Sequence, residues 1–234
     1  MNSISGSAQF HGTTVQARDV NGGIHLRMES PVLPTPRQLL PGVRNFTGRA
    51  EELRLLDGMV GSGGAVLVAV TGPAGVGKTA LGSSWLRGLA GRYPDGQLYA
   101  DLRGHAPDGP ADPAEVLGGF LRAFGVSPVP ADPAEQAALW RSLTSDRRLI
   151  VMLDNAVSAA QVRPLRPGSD DAVVLVTSRL RLTGLALDGA GFVPLGLLGP
   201  AAGAELLRSR IGRERVEAEP EYARQVVERC AGLP

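Results

Sequence analysis

A glycine-rich run ending in Lys78 and Thr79 is the stretch of this sequence best equipped for chemistry. Its residues, Gly72, Pro73, Ala74, Gly75, Val76, Gly77, Lys78 and Thr79, follow the pattern of a glycine, four free positions and then Gly-Lys-Ser/Thr. Glycines let the backbone turn until successive NH groups converge on an anion. A helix that follows aims its free NH donors and the positive end of its dipole at the same point. A di- or triphosphate is the natural guest, with Lys78 reaching its outer phosphates and the Thr79 hydroxyl placed to ligate Mg2+. Lys78 is also the only lysine among the 24 Lys and Arg residues. A compact ammonium fits inside a ring of NH groups, where a rigid guanidinium fork would clash.

Two other stretches end in groups that suit the same chemistry. Leu149, Ile150, Val151, Met152 and Leu153 form an unbroken apolar run followed by Asp154 and Asn155. Such a run reads as a strand buried on both faces, as in a parallel sheet, with a carboxylate at its C-terminal edge. Ligands of open α/β sheets bind at those edges, so Asp154 is expected beside Thr79 in the Mg2+ environment. An aspartate at a strand end can also be only a turn residue. Ala172–Val176 lead in the same way to Thr177, Ser178 and Arg179. Arg179 would set a fixed positive charge on a γ-phosphate, or else sit on the outer lip beside Arg181.

The elements that must position these groups follow from the pattern. Ala65–Val70 reads as a buried strand entering the glycine loop, and Thr79–Leu89 as a helix leaving it, with Leu81, Trp85, Leu86 and Leu89 on one side. Gln97–Leu102 reads as a second strand with Asp101 near its end. Asp112-Pro and Asp132-Pro each open a helix with an Asp cap and proline in the first turn, the former reaching about Phe124. From Gly191 the pattern becomes helical without strands, with helices opening at Pro200 and Pro220, and Cys230 on the apolar face of the last one as a core residue. Pro31–Pro41 reads as an extended proline-rich linker. Before it, short extended segments flank a hairpin-type Asn21-Gly22 turn. His11 and His25 there are candidate metal ligands but suit solvent-facing positions better.

The expected fold class is α/β: a P-loop NTPase three-layer αβα sandwich with a parallel sheet, followed by a small helical subdomain. The expected organisation is an N-terminal extended segment and linker over 1–40, a nucleotide-binding domain over 41–190 and a helical subdomain over 191–234, cut at a boundary. An apolar content of 43% supplies a real core, and a formal net charge of +1 gives no global reason to expect nucleic acid or anionic membrane as a partner. One cysteine excludes an intramolecular disulfide and a multi-cysteine metal site, as suits a reducing cytoplasm. The first residues lack the basic and apolar regions of a signal peptide, and no apolar run reaches membrane-spanning length, so a cytoplasmic protein without a membrane partner is expected.

Taken together, these motifs resemble the NB-ARC nucleotide-binding module of STAND-class signal-transduction ATPases, in particular bacterial transcriptional regulators. The resemblance runs from Phe46 to Pro234 and includes Phe46-Thr-Gly-Arg49, the phosphate loop through Thr79 and Ala80, Leu-Asp154-Asn155, Thr-Ser-Arg179 and the terminal Gly-Leu-Pro234. It implies an ATP/ADP-binding switch with Mg2+ held by Thr79 and Asp154. Phe46, Thr47 and Arg49 would lie at the adenine, Pro234 would touch the base, and Lys78, Asp154, Asn155 and Arg179 would serve the reacting phosphate. It further implies that ATP in place of ADP opens the module into a homo-oligomer; direct nucleic-acid binding by this stretch is not expected. Many relatives carry a second acidic residue where this chain has Asn155. An amide orients water but does not take its proton, so hydrolysis should be slow unless another base is supplied. A phosphotransferase acting on a small molecule, with Asp101 as base for the acceptor hydroxyl, and a module that only binds nucleotide are the competing readings.

Overall fold

The computed structural model describes residues 34–60 and 66–234; His11, His25 and the Asn21-Gly22 turn lie outside the described residues. Five parallel strands form one sheet: β1 (Val66–Thr71), β2 (Gly96–Asp101), β3 (Leu149–Ala156), β4 (Val173–Ser178) and β5 (Gly191–Pro194), in the order β2-β3-β4-β1-β5. The three central strands are the continuous apolar runs, and they are buried along almost their whole length because helices cover both faces.

Alternation along each strand divides the core. Val66, Val68 and Val70 of β1, Ile150 and Met152 of β3, and Val173 and Leu175 of β4 face α1 (Ala50–Val60) and α2 (Lys78–Leu89). The intervening Leu67, Val151, Leu153, Val174 and Val176 face α3 (Pro113–Ala123), α4 (Pro133–Thr144) and the short α5 (Ala159–Val162). This is the expected three-layer sandwich. Both Asp-Pro helix starts form as read: the Asp112 carboxylate accepts from the Ala114 NH at 3.0 Å and that of Asp132 from the Ala134 NH at 2.6 Å.

The chain then continues into α6 (Pro200–Ile211), α7 (Arg213–Ala218) and α8 (Pro220–Arg229), which pack on one another. Gly191–Pro194 is a strand, not the start of a helical region: it pairs with β1, so the sheet extends to residue 194. Its four residues are too few to show a period. Cys230 is exposed at the end of α8, contrary to the core position expected of it, because α8 buries none of its residues in the described structure. The linker is partly built into the sheet. Pro36 O accepts from Gln97 NH and Gln38 NH donates to Gln97 O, both at 2.8 Å, and Leu39 is buried against α1 and α2. That pairing covers the outer edge of β2.

Candidate functional site

The glycine loop joins the C-terminal end of β1 to the first turn of α2, as its sequence requires. Gly77 caps α2 in the left-handed region (φ 93°) and Gly75 is left-handed as well (φ 76°). At Gly72 the constraint is space, since a Cβ there would lie 2.2 Å from the Leu195 carbonyl oxygen. Pro73, Ala74 and Gly75 are exposed on the loop, while Val76 is fully buried and anchors it to the α2 side of the core.

Lys78 is buried, and its Nζ donates to the Gly72 carbonyl at 3.0 Å and the Pro73 carbonyl at 2.6 Å. Burial holds its pKa below the ordinary lysine value; the nearby Arg179 charge lowers it further, while Asp154 acts in the opposite sense. The first turn of α2 and the C-terminal ends of β3 and β4 set Lys78, Asp154 and Arg179 at the same edge of the sheet. Arg179 itself is exposed.

Asp154 is the hub of a hydroxyl cluster. Thr79 Oγ1 donates to its carboxylate, 2.9 Å from each oxygen, and Thr177 Oγ1 donates to Oδ1. Tyr99, on β2, is half-buried and pairs with Met152, two residues before Asp154. The Tyr99 pKa is pushed up to about 12, first by burial and then by the charges of Asp154 and Asp101. Asp154 is 3% exposed, so its negative charge is stabilised by hydroxyl donors instead of water. One hydroxyl and one carboxylate, both hard oxygen donors, fit a Mg2+ that keeps phosphate and water as its other ligands. Thr79 and Asp154 would be its protein ligands.

The Asn155 side chain lies outside that cluster. Between Leu153 and Ala156 the β3–β4 register slips by one residue, and Asn155 takes a left-handed backbone (φ 56°). This bulge turns its side chain toward β2, where Nδ2 donates to Asp101 Oδ1 at 3.0 Å, while its NH donates to Thr177 Oγ1 at 3.0 Å. Sequence reading singled out both residues but not their contact, since a bulge leaves no mark on hydropathy.

The second half of the site is a cavity of about 250 Å3 beside the loop. Phe46, Thr47 and Arg49 line it from the segment just before α1, Gly75, Gly77 and Ala80 from the phosphate loop and α2, and Leu206, Arg210 and Pro234 from α6 and the segment after α8. The Thr47 hydroxyl is buried without a hydrogen-bond partner among the described residues. The Pro234 ring lies 3.4 Å from where a Cβ on Gly77 would stand. Arg49 is 7% exposed, and its guanidinium is occupied by protein: it donates to Glu52 Oε1 at 3.0 Å, to the Val76 carbonyl at 3.2 Å and to the Gly196 carbonyl at 2.7 Å. It therefore holds together the walls of the cavity. A larger cavity, of about 450 Å3 between α6, α7 and α8, has mostly apolar walls and none of the phosphate-loop groups.

No protein-family model matches the chain. It is 44% identical over 209 residues to the regulatory protein AfsR of Streptomyces coelicolor and 44% identical over 204 residues to the regulatory protein AfsR of Streptomyces griseus. Each match covers 85% of this chain and 21% of the relative, so the chain spans about a fifth of the length of the curated relatives it matches. Among solved structures, a signal transduction ATPase with numerous domains (STAND) protein with a tetratricopeptide repeat sensor, from Pyrococcus horikoshii, superposes with a TM-score of 0.54 at 22% identity, covering 88% of this chain and 30% of that one. The chain thus has the P-loop α/β fold found in part of a STAND protein and, in sequence, is similar to one segment of AfsR regulatory proteins.

Proposed function

We propose that this chain is the adenine-nucleotide-binding switch of a regulatory protein, in which exchange of ADP for ATP changes the arrangement of the C-terminal helices and hydrolysis, at a slow rate, resets it. The observation that carries this reading is the composition of the 250 Å3 cavity: the phosphate loop forms one side of it and Leu206, Arg210 and Pro234 another. A nucleotide whose phosphates lie on the loop and whose base fills the cavity would touch both the sheet domain and the C-terminal helices. Only a ligand with unequal contacts in two arrangements can shift the balance between them. In this reading Lys78 binds the outer phosphates, Thr79 and Asp154 hold Mg2+, and Arg179 reads the γ-phosphate. Phe46, Thr47 and Pro234 contact the base, with Arg49 supporting them. The similarity to AfsR regulatory proteins supports a regulatory role; transcriptional control in the cytoplasm as the setting, and homo-oligomerisation of the longer protein as the output, belong to the same proposal.

The test is direct. Protein purified without added nucleotide, denatured and chromatographed, should release adenine nucleotide, chiefly ADP, and Lys78→Ala should release less than a tenth as much. Guanine nucleotide, or equal retention by the variant, would overturn the assignment. Turnover only with an added hydroxyl acceptor would mark a phosphotransferase instead.

A further inference from the structure

Asn155 leaves the proposed site without an acidic group beside Asp154 on β3. The neighbouring strand carries one. Asp101 is the register partner of Asp154, with Cα atoms paired across parallel strands, and alternation along β2 sets Asp101 on the same face as Tyr99, the face that bears α2 and Thr79. Adjacent strands lie about 4.8 Å apart, so the two carboxylates are neighbours across the strand ends.

They are in different states of engagement. Asp154 is buried and takes hydroxyl hydrogens from Thr79 and Thr177. Asp101 is exposed, and only its Oδ1 is engaged, by the Arg103 NH at 2.9 Å and by Asn155 Nδ2 at 3.0 Å. No hydrogen bond or ion pair to its Oδ2 occurs among the described residues. The backbone beneath is held firmly. Leu102 NH donates to Asp154 O at 2.7 Å, Gly104 NH donates to Asn155 O at 2.8 Å, and the buried Gln161 amide donates to the carbonyls of Leu102 and Ala111 at 2.8 and 3.1 Å. Gly104 approaches so closely that a Cβ there would stand 2.3 Å from Asn155 O. The loop after β2 and the bulge of β3 form one rigid unit whose product is an oriented Asp101 carboxylate.

We propose that Asp101 is the general base for ATP hydrolysis and that Asn155 is its positioning residue, a role that rests on the nucleotide-binding reading above. The attacking water forms a bond from its oxygen to the γ-phosphorus while the bond from that phosphorus to the β,γ-bridging oxygen breaks. Asp101 Oδ2 takes the water proton, and ADP and inorganic phosphate leave. The amide at 155 contributes no proton acceptor; it fixes Oδ1 so that Oδ2 faces the water.

Phosphate release from Mg·ATP by the full chain tests this, with ADP and ATP affinity measured in parallel. Asp101→Asn is nearly isosteric and keeps an oxygen for both of its donors. It should hold nucleotide within about twofold of the parent affinity while kcat falls by about 10²-fold, the scale of a lost general base. Asp101→Glu should recover part of the rate, and Asn155→Ala should lower kcat about tenfold with KM little changed. Hydrolysis by Asp101→Asn at the parent rate overturns the proposal. So does a parent protein that binds ATP but releases no more phosphate than Lys78→Ala; in both cases nucleotide binding stands. A parent protein that binds no nucleotide instead overturns the reading beneath it, and the base with it.

Discussion

Arg49 shows what a single buried side chain can be asked to hold. Its five NH donors suit a site where acceptors converge from several directions. Here they reach α1 through Glu52, the phosphate loop through Val76 and the connector to α6 through Gly196. The motif Phe46-Thr-Gly-Arg49 was visible in the sequence and its family resemblance pointed to adenine. The three acceptors were not visible, because two are backbone carbonyls 27 and 147 residues away. Arg49→Ala leaves the buried Val76 carbonyl short of a donor and cuts the link to the exposed Gly196, which should destabilise the fold by about 1–3 kcal/mol. Arg49→Lys should recover only part of that, since one ammonium cannot span the same acceptors. Urea unfolding at constant m-value reads the loss, and ADP titration should show weaker binding in both variants. A stability unchanged in Arg49→Ala would show that the guanidinium is not a clasp.

Elements were legible in the sequence where their hydropathy was unbroken and poorly legible where they were short. The runs at Val66, Leu149 and Val173 are long enough to identify buried parallel strands, and their polar ends pointed to the edge where Lys78, Asp154 and Arg179 meet. β5 has four residues and α5 also four, below the length at which a period can be seen. The proline-rich segment misleads for a different reason. Its composition is that of an extended linker, and an extended chain is also what the edge of a sheet accepts as a partner. Pro36 and Gln38 pair with Gln97, the Arg87 guanidinium donates to Leu40 O at 2.7 Å, and the Leu39 side chain enters the core. Leu39→Ala should therefore behave as a core truncation, costing about 2–3 kcal/mol, where a linker position would cost nearly nothing. Chemical denaturation distinguishes the two, and a loss below about 0.5 kcal/mol would return the segment to the role of tether.

At the scale of the whole molecule, the question is what keeps the C-terminal helices over the phosphate loop. The contact is made by a short turn after α8. Leu198 NH donates to Gly232 O at 2.8 Å, and Gly232 is left-handed (φ 71°) and so close to the connector that a Cβ would stand 2.6 Å from Leu198 O. From this anchor Leu233 and Pro234 reach back to Gly75 and Gly77. A side chain at 232 must therefore push the tail away from the connector and adopt a backbone conformation that costs about 1–2 kcal/mol. Neither adjustment touches the sheet. Gly232→Val should accordingly weaken ADP binding by about tenfold while leaving the urea midpoint of the sheet domain nearly unchanged, whereas Lys78→Ala weakens binding with the tail still seated. Limited proteolysis separates these cases. The Gly232→Val protein should be cut after Arg208 or Arg210 faster than the parent even with ADP in excess, because the α6–α8 packing is loosened where it meets the loop. If Gly232→Val binds ADP as the parent does and resists trypsin equally, the tail is a passenger on the phosphate loop, and the helices are held by Arg49, the connector and the close approach of Gly48 to Ala202 on α6.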